Sequence, residues 1–386
     1  MFKIAIITNA RAADQRSMIG YGDLLLEAAR QTEARVVEWR GVSFFGKLPV
    51  SGIWRKLALN LDRFIVTPLK LAGKRADIVH VVDPGNSVYL QLVRSKHSIL
   101  TVHDMIPYLA RDGKLPGWQP TRTGRWLMNW ITGCLRKADH IICVSHATKR
   151  DLLAYVDIPE ERVSVIHNAV FQPMAPASIE DCRDFRARHG IPQDAPLILH
   201  IGRNWYKNRE AVLEVFARVR AVEAGARLAF VGALTPALQS QADALGVCEA
   251  MHLIEKVSET DLPSLYTTAS ALLFPSHYEG FGLPVLEAQM CGTSVVCSAN
   301  GSLKEVASKV SVYGTISEMA DACISAIRRT RENSNALKEH THLLETFSES
   351  KWFGAHYALY QAQYPGAEHK LHTIRSSGPK VSDFLR

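Results

Sequence analysis

The sequence lacks the features that would place it among disulfide-rich, zinc-binding, secreted or membrane-spanning proteins. Its seven cysteines are odd in number and show no Cys-x-x-Cys spacing, so neither a disulfide framework nor a zinc site is indicated. No apolar run approaches the length of a membrane span, and the N-terminus opens as a strand without the layout of a signal peptide. These absences predict a cytoplasmic chain with reduced thiols.

Composition and length are those of a soluble globular protein. The 386 residues are 47% hydrophobic and 22% charged, enough for two domains. The net charge of +7 is uneven, because residues 1–170 hold 24 Lys and Arg against 15 Asp and Glu, and the remainder holds 21 against 23. A basic first half indicates an anionic partner, such as a membrane surface or a phosphate-bearing acceptor. No nucleic-acid recognition motif is present, so we expect no nucleic-acid partner.

Short apolar runs alternate with helix-like segments in the first half. After a first strand at 3–8, the loop 9–22 leads to a predicted helix at 23–30. Further strands are predicted at 35–39, 77–82, 98–102, 140–144 and 163–166. This alternation is typical of a parallel sheet covered by helices on both faces, in which ligands bind at the carboxyl ends of the strands.

The stretch 271–297 reads as strand, loop, helix and strand. Pro284 suits the first helical position and Gly292 suits the end of the helix. Glu279 precedes the helix and Glu287 lies about one turn into it; we interpret both as acceptors for hydroxyl groups, although a loop charge and a helix-dipole partner would explain them too. An anion would bind the backbone N–H groups of the helix N-terminus, at Gly280, Phe281, Gly282 and Leu283.

The string from Glu279 to Glu287, Glu-Gly-Phe-Gly-Leu-Pro-Val-Leu-Glu, resembles the E-x7-E signature of retaining glycosyltransferases of family 4. The stretches 291–296 and 301–306 are similar to that family as well. The resemblance implies an α/β protein of the GT-B fold, with two Rossmann-like domains facing across a cleft. It also implies a nucleotide-sugar substrate.

The resemblance further implies a donor site and the groups that act in it. Arg203 and Lys207 match cations that bind the donor pyrophosphate, although two solvated surface cations would give the same pattern. His103 matches a histidine near the transferred sugar, where a structural hydrogen-bonding role is the alternative. The remaining donor-site positions implied are Gly20, Gly22, Gly202, Gly232, Lys256 and Val257.

Three other polar residues follow predicted strands. His80 and Asp83 are weaker candidates for the acceptor side. Ser145 is placed to cap the following helix, and we assign its stretch to structure, with a ligand contact as the lesser alternative.

Two segments, 53–75 and 118–137, carry aromatic and aliphatic residues at helical spacing with basic residues between them. Amphipathic helices packed on the sheet are one interpretation. An interfacial surface that meets anionic lipid is the other, and the basic character of the first half favours it.

Domain limits follow from the linker near Pro173 and Pro176. We predict an N-terminal acceptor-binding domain at 1–170 and a C-terminal donor-binding domain at 171–364, whose last helix crosses back to the first domain. Residues 365–386 are predicted to form a polar tail. Ala169 replaces a glycine that is usual in the family at this boundary.

Together these features predict a retaining hexosyltransferase at the cytoplasmic membrane face. Loose resemblance to bacterial polysaccharide mannosyltransferases favours GDP-mannose as donor, with a UDP-hexose as the alternative, and a lipid-linked saccharide or polysaccharide as acceptor. No cofactor is expected, and the lack of an Asp-x-Asp motif predicts transfer without a metal. The alternatives are a nucleotide-sugar epimerase or hydrolase of the same fold, or a catalytically silent nucleotide-sugar or membrane-binding protein.

Overall fold

A computed structural model describes residues 2–12, 15–307, 314–330 and 342–363. The predicted tail at 365–386 lies outside the described residues. The chain forms two compact units. Unit 1 contains the residues up to Tyr108, Pro120–Phe171 and the last described helix, and unit 2 contains Leu109–Gln119 and Gln172–Ser348.

Unit 1 is built on a parallel sheet. Its strands are β1 (Lys3–Thr8), β2 (Arg35–Arg40), β3 (Arg75–Val81), β4 (Arg94–Val102), β5 (His140–Cys143) and β6 (Val163–Val165). They are ordered β2-β1-β3-β4-β5-β6, and every adjacent pair is parallel. Its helices are α1 (Arg16–Arg30), α2 (Gly52–Leu61), α3 (Thr67–Leu71), the first half of α4 (Ile106–Arg111), α5 (Arg122–Leu135) and α6 (His146–Tyr155). A π-helical turn, Asp62–Val66, joins α2 to α3.

Unit 2 repeats this architecture. Its strands are β7 (Leu197–Ile201), β8 (Arg227–Val231), β9 (Met251–Ile254), β10 (Ala271–Phe274) and β11 (Ser294–Cys297), in the parallel order β11-β10-β7-β8-β9. Its helices are α7 (Ile179–Arg188), α8 (Arg209–Val222), α9 (Pro236–Ala244), α10 (Leu262–Thr267), α11 (Leu283–Met290), α12 (Leu303–Val306) and α13 (Ile316–Thr330). The two parallel sheets confirm the predicted α/β class.

Short 3₁₀ segments complete several loops in both units. They are Phe45–Lys47, Pro84–Gln91, Glu160–Arg162, Trp205–Lys207, Cys248–Ala250 and Glu259–Asp261.

The strands form because their apolar runs are covered on both faces. Ile4, Ala5, Ile6 and Ile7 of β1 are all fully buried, as are the four residues of β10. A parallel strand buried on both faces needs a continuous apolar run rather than an alternating one. This is why short apolar runs predicted the six strands of unit 1 and the strands β10 and β11, with differences of up to four residues at the strand ends in unit 1.

The last described helix, α14 (Glu349–Gln363), completes the core of unit 1. Trp352, Phe353, Tyr357 and Tyr360 of α14 are buried in a cluster with Ile4, Ile6 and other residues of the first sheet. The unit 1 core therefore depends on a segment far along the chain.

A buried polar network ties α14 to the sheet. Tyr360 Oη lies 2.6 Å from His80 Nδ1, and His80 Nε2 lies 2.8 Å from Thr101 Oγ1. Tyr21 Oη lies 3.0 Å from Thr101 Oγ1 and 2.6 Å from His356 Nε2. Burial lowers the pKa of His356 to about 4 and lowers the pKa of His80 well below its usual value. Both imidazoles are therefore neutral at physiological pH.

Within the described part of the chain, no helix has both the length and the hydropathy that crossing a bilayer requires.

Acidification is expected to destabilise the protein. His356 has a lower pKa in the folded than in the unfolded state, so the unfolded state binds more protons between pH 4 and the ordinary value of about 6.5, and the pKa of His80 is lowered in the same direction. Stability is therefore fully present above about pH 6.5 and falls by up to about 1.4 kcal/mol per pH unit for each histidine below it. Urea unfolding at a series of pH values measures this slope. In His356→Gln the unfolding free energy should depend less steeply on pH, by the equivalent of about one proton taken up on unfolding. An unchanged pH dependence would contradict the assignment.

Candidate functional site

The strand order of unit 2 reverses between β7 and β10. The chain passes from β7 to β8 and β9 on one side, and then returns to place β10 and β11 on the other. In open parallel sheets the crevice at such a reversal, at the carboxyl ends of the strands, is the usual ligand site. The loops that follow β7 and β10 carry Lys207 and Glu279, two of the predicted site residues.

Lys207 and Glu279 form a buried ion pair at this reversal. Lys207 Nζ lies 2.7 Å from Glu279 Oε1, and the two side chains are 10% and 7% exposed. The ring of Phe274 lies beneath the ammonium group, with its centroid 4.5 Å from Nζ. The pairing was not predicted from the sequence, since the two residues are 72 positions apart. It fixes the distance between the two loops.

Gly202 allows Lys207 to reach this position. Its φ of +142° is a backbone conformation that glycine adopts readily and other residues rarely adopt. A Cβ atom at this position would lie 2.8 Å from Lys207 Cγ. Gly232 likewise leaves room for the aliphatic part of the Arg203 side chain, since a Cβ atom at Gly232 would lie 2.9 Å from Arg203 Cγ. The exposed Arg203 guanidinium donates a hydrogen bond to the carbonyl of Glu255. Both predicted glycines thus support the two predicted cations.

Helix α11 begins at Leu283, one residue before the predicted first position, Pro284. Gly282 is its N-cap with φ of 100°, Pro284 lies in the first turn, and Gly292 follows the C-cap with φ of 75°. Gly280, Phe281, Gly282 and Leu283 therefore lie at a helix N-terminus, which attracts anions.

Main-chain contacts also hold the loop before α11. The carbonyl of Glu279 accepts hydrogen bonds from Ser302 N and Ser302 Oγ, each at 3.1 Å. Glu279 is thus fixed through both its side chain and its backbone. The loops after β7, β10 and β11 form one connected group.

Glu287 is half-buried on α11 and accepts a hydrogen bond from Tyr266 Oη at 2.7 Å. Burial raises the pKa of Glu287 above its usual value, against the effects of the Tyr266 hydrogen bond and the charge of Lys207. Burial, followed by the Glu287 charge, raises the pKa of the Tyr266 phenol well above its usual value. Tyr266 was missed at the sequence level, because it lies on α10 with no motif around it.

Lys256 and Val257 follow β9 at the same edge of the sheet, exposed and half-buried respectively. Their neighbour Glu255 is the residue whose carbonyl binds Arg203. The predicted unit 2 residues therefore gather on the loops after four adjacent strands.

Gly20 and Gly22 do not lie where the sequence predicted. We expected a loop up to residue 22, but α1 begins at Arg16 and both glycines lie inside it. A Cβ at Gly22 would lie 3.0 Å from Thr8 Cγ2, and one at Gly20 would lie 3.1 Å from Phe171 Cδ2. The glycines allow α1 to pack closely, which outweighs the low helix propensity of glycine.

His103 follows β4 in unit 1 and is half-buried. Its Nε2 lies 2.7 Å from the carbonyl of Val82, and Tyr21 packs edge-on against its ring with centroids 5.0 Å apart. Burial lowers its pKa, so the ring is neutral and donates Nε2–H to the carbonyl. Its predicted role near the sugar stays a prediction.

His80 and Asp83 are both buried in unit 1, with exposures of 0% and 2%. His80 lies in the α14 network, so it is not a surface group for an acceptor. Asp83 accepts hydrogen bonds from Asn9 Nδ2 at 2.6 Å and Gly85 N at 2.7 Å. Ser145 caps α6 as predicted, accepting from Thr148 N at 3.0 Å.

Two parts of the chain match models of known protein families. Residues 21–171 match the model described as Glycosyltransferase Family 4, and residues 181–341 match the model described as Glycosyl transferases group 1.

Solved structures show the same fold over nearly the whole chain. HepE of Anabaena, solved in complex with UDP-glucose, has a TM-score of 0.71 at 14% identity, covering 94% of this chain and 100% of that one. WaaG, a glycosyltransferase involved in lipopolysaccharide biosynthesis, has a TM-score of 0.66 at 14% identity, with 94% and 100% covered. These similarities confirm the predicted GT-B fold. Residues 21–171 and 181–341 are thus similar to a family 4 and to a group 1 glycosyltransferase domain, respectively.

Among curated proteins, D-inositol 3-phosphate glycosyltransferase of Mycobacterium bovis is 30% identical over 268 residues. The match covers 64% of this chain and 53% of the relative, so the chain spans about half the length of that protein.

The ion pair predicts a specific stability pattern. Lys207→Met should cost about 3 kcal/mol or more, because it leaves the Glu279 carboxylate buried without its partner. Adding Glu279→Gln should recover part of that loss, since no buried charge then remains. Urea unfolding of both single variants and the double variant measures the coupling. Equal, additive losses would contradict a coupled buried pair.

Proposed function

We propose that the protein is a nucleotide-sugar-dependent glycosyltransferase that transfers a hexose with retention of configuration. The observation that carries the proposal is the cluster at the reversal point of unit 2. There an exposed arginine, a fixed lysine–glutamate pair and a helix N-terminus share one edge of a parallel sheet. The two glycosyltransferase family matches support it.

The cluster suits a leaving diphosphate. When the bond between the anomeric carbon and the phosphate oxygen breaks, its electron pair goes to the diphosphate, and negative charge grows there. Arg203, Lys207 and the N–H groups at the start of α11 stabilise this charge. A bond forms between the acceptor oxygen and the anomeric carbon on the same face, and the acceptor proton passes to the leaving phosphate oxygen. No protein nucleophile takes part.

The two carboxylates position hydroxyl groups in this proposal. Glu279 binds sugar hydroxyls through the oxygen that Lys207 leaves available, and the ion pair keeps that carboxylate oriented. Glu287 binds the ribose of the nucleotide, with Tyr266 fixing its rotamer. His103 of unit 1 acts near the transferred sugar as a neutral imidazole.

We favour GDP-mannose as the donor, with a UDP-hexose as the alternative. The first rests on the loose sequence resemblance to mannosyltransferases. The second is supported by HepE, whose structure holds UDP-glucose. Transfer is proposed to need neither a cofactor nor a metal.

We propose a lipid-linked saccharide as acceptor and the inner face of the cell membrane as the place of action. The helical segment 52–71 exposes a row of apolar side chains, with Ile53 at 78%, Trp54 at 66% and Leu69 at 74%. Other residues of the segment, Phe64 and the fully buried Leu71, pack against the core of unit 1, as the first interpretation predicts. Arg55, Lys56 and Lys70 are exposed among the exposed apolar side chains. Aromatic and aliphatic side chains beside cations suit the interface of an anionic bilayer.

A second exposed group lies on α5, where Trp126 is 67% and Trp130 is 38% exposed. The ring centroid of Trp130 lies 5.7 Å from that of Trp126 and 5.9 Å from that of Phe64, in the π-helical turn. The two apolar rows therefore meet on one side of unit 1, which gives the proposed membrane surface its width.

A donor panel tests the transferase. We expect one nucleotide sugar to raise the melting temperature and to release nucleotide diphosphate only when a membrane-lipid extract is present. Arg203→Ala should lower kcat/KM about a hundredfold, because a preorganised charge on the leaving group is lost. The exposed Arg218→Ala on α8 is the matched control and should be unaffected. Donor turnover without any acceptor would favour the epimerase or hydrolase. Failure of every donor to bind would favour a catalytically silent protein.

Vesicle sedimentation tests the membrane surface. The protein should bind vesicles that contain phosphatidylglycerol, and raising the salt from 50 to 500 mM should weaken binding, because screening reduces the lysine and arginine attraction. Trp54→Ser with Leu69→Ser should reduce the partition coefficient at least tenfold. Ile179→Ser, at a residue 75% exposed on α7 of unit 2, is the matched control. An equal loss of vesicle binding in the Trp54→Ser, Leu69→Ser double variant and in Ile179→Ser would argue against the proposed surface.

A further inference from the structure

One residue of unit 2 has a backbone conformation that residues with a side chain rarely adopt. Among the residues that the structure describes, Asn208 is the one non-glycine residue with a positive φ, at +52° with ψ of +56°. It directly follows Lys207 and is the N-cap of α8. Such strain persists where the surrounding structure requires it, and it concentrates at functional sites.

The turn at Asn208 directs consecutive side chains to the loops on both sides of β7. Lys207 and Asn208 reach the loop after β10, where Asn208 Nδ2 donates a hydrogen bond to the carbonyl of Pro275 at 3.1 Å. Arg209 Nη2 donates instead to the carbonyl of Ala233, in the loop after β8, at 2.7 Å. Because β7 lies between β10 and β8 in the sheet, the start of α8 is tied to both neighbouring loops.

Arg209 is buried without a salt bridge. It is 7% exposed, and its guanidinium lies over the ring of Phe230, 4.5 Å from the centroid. Within the described part of the chain it pairs with no carboxylate, and its Nε has no hydrogen-bond partner there. Burying an unpaired cation costs free energy that an apolar residue would not cost. Packing alone therefore does not account for an arginine at this position.

The loop that Arg209 holds is also the loop on which Arg203 rests. Ala233 follows Gly232, and a Cβ atom at Gly232 would lie 2.9 Å from Arg203 Cγ. The side chain of Arg203 thus lies directly on the backbone next to the carbonyl that Arg209 binds. A shift of the loop after β8 would therefore move the exposed guanidinium of Arg203.

The charges of these two arginines act on each other. Burial lowers the pKa of Arg209, the charge of Glu210 opposes this effect, and the charge of Arg203 adds to it. Two like charges held near one another repel, and a bound anion of high charge offsets that repulsion. The arrangement therefore suits a diphosphate.

We propose that Arg209 is a positioning residue for the donor diphosphate, because it fixes the loop after β8 and, through Gly232, the place of the Arg203 guanidinium. The inference rests on the proposed function, in which Arg203 stabilises the charge of the leaving diphosphate. Arg209 acts through Arg203.

Steady-state kinetics on the full chain, with the donor that the panel identifies, test this role. Arg209→Met keeps an aliphatic side chain over Phe230 but removes the charge and the hydrogen bond to Ala233. It should lower kcat/KM about tenfold, mostly through kcat, because a displaced Arg203 guanidinium stabilises the growing phosphate charge less. Arg209→Lys keeps a charged donor and should recover at least threefold of that loss.

Arg220→Met is the matched control. Arg220 is half-buried near the opposite end of α8 and donates a hydrogen bond to the carbonyl of Ala226 at 3.3 Å. Its replacement removes a comparable contact from the same helix and should change kcat/KM less than twofold. Equal losses in Arg209→Met and Arg220→Met would overturn the assignment, since weaker packing of α8 would then explain both.

A double-mutant cycle separates positioning from a general effect on the fold. If Arg209 acts through Arg203, adding Arg209→Met to Arg203→Ala should lower kcat/KM by less than a further twofold. A further tenfold loss would overturn the proposal, because the two residues would then act independently.

NMR of the protein without any donor tests the contact apart from catalysis. The Nε–Hε resonance of Arg203, assigned from its absence in Arg203→Ala, should shift in Arg209→Met and stay unchanged in Arg220→Met. An unchanged Arg203 resonance in Arg209→Met would overturn the positioning role. Failure of every nucleotide sugar to bind the wild type would instead count against the proposed function, and the Arg203 resonance would still decide whether Arg209 positions it.

Discussion

The candidate donor site depends on one buried ion pair. Removing Lys207 and Glu279 from water costs several kcal/mol for each ion, and only a short contact with supporting groups offsets it. The 2.7 Å contact, the Phe274 ring and the hydrogen bonds from Ser302 to the Glu279 carbonyl supply that support. As a result the loops after β7, β10 and β11 hold their spacing without a ligand, and the donor would meet groups already in place.

The two sheets use the same geometry with different chemistry. Each reverses its strand order once, and at each reversal buried polar side chains meet at the carboxyl ends of the strands. In unit 2 they are an ammonium and a carboxylate, with the guanidinium of Arg203 exposed nearby. In unit 1 they are the amides of Asn9 and Asn86.

Much of the fold could be predicted because parallel strands buried on both faces read as short apolar runs, as in β1 and β10. The start of α11 was also predictable, since glycine and proline mark it locally. Contacts between distant segments were not: Tyr266 reaches Glu287, and Lys207 reaches Glu279, through packing alone. The start of α1 was misplaced because close packing of Gly20 and Gly22 outweighs their propensity.

Helix α14 has a consequence for the order in which the protein is made. The core of unit 1 includes Trp352, Phe353 and Tyr360, and His80 shares a hydrogen bond with Tyr360 across 280 positions of sequence. The ribosome therefore synthesises every strand of both sheets before the core of unit 1 has its full set of side chains. During this interval the nascent first sheet exposes an apolar face that needs shielding. Unit 2 ends at Ser348 and so needs no segment that is made later.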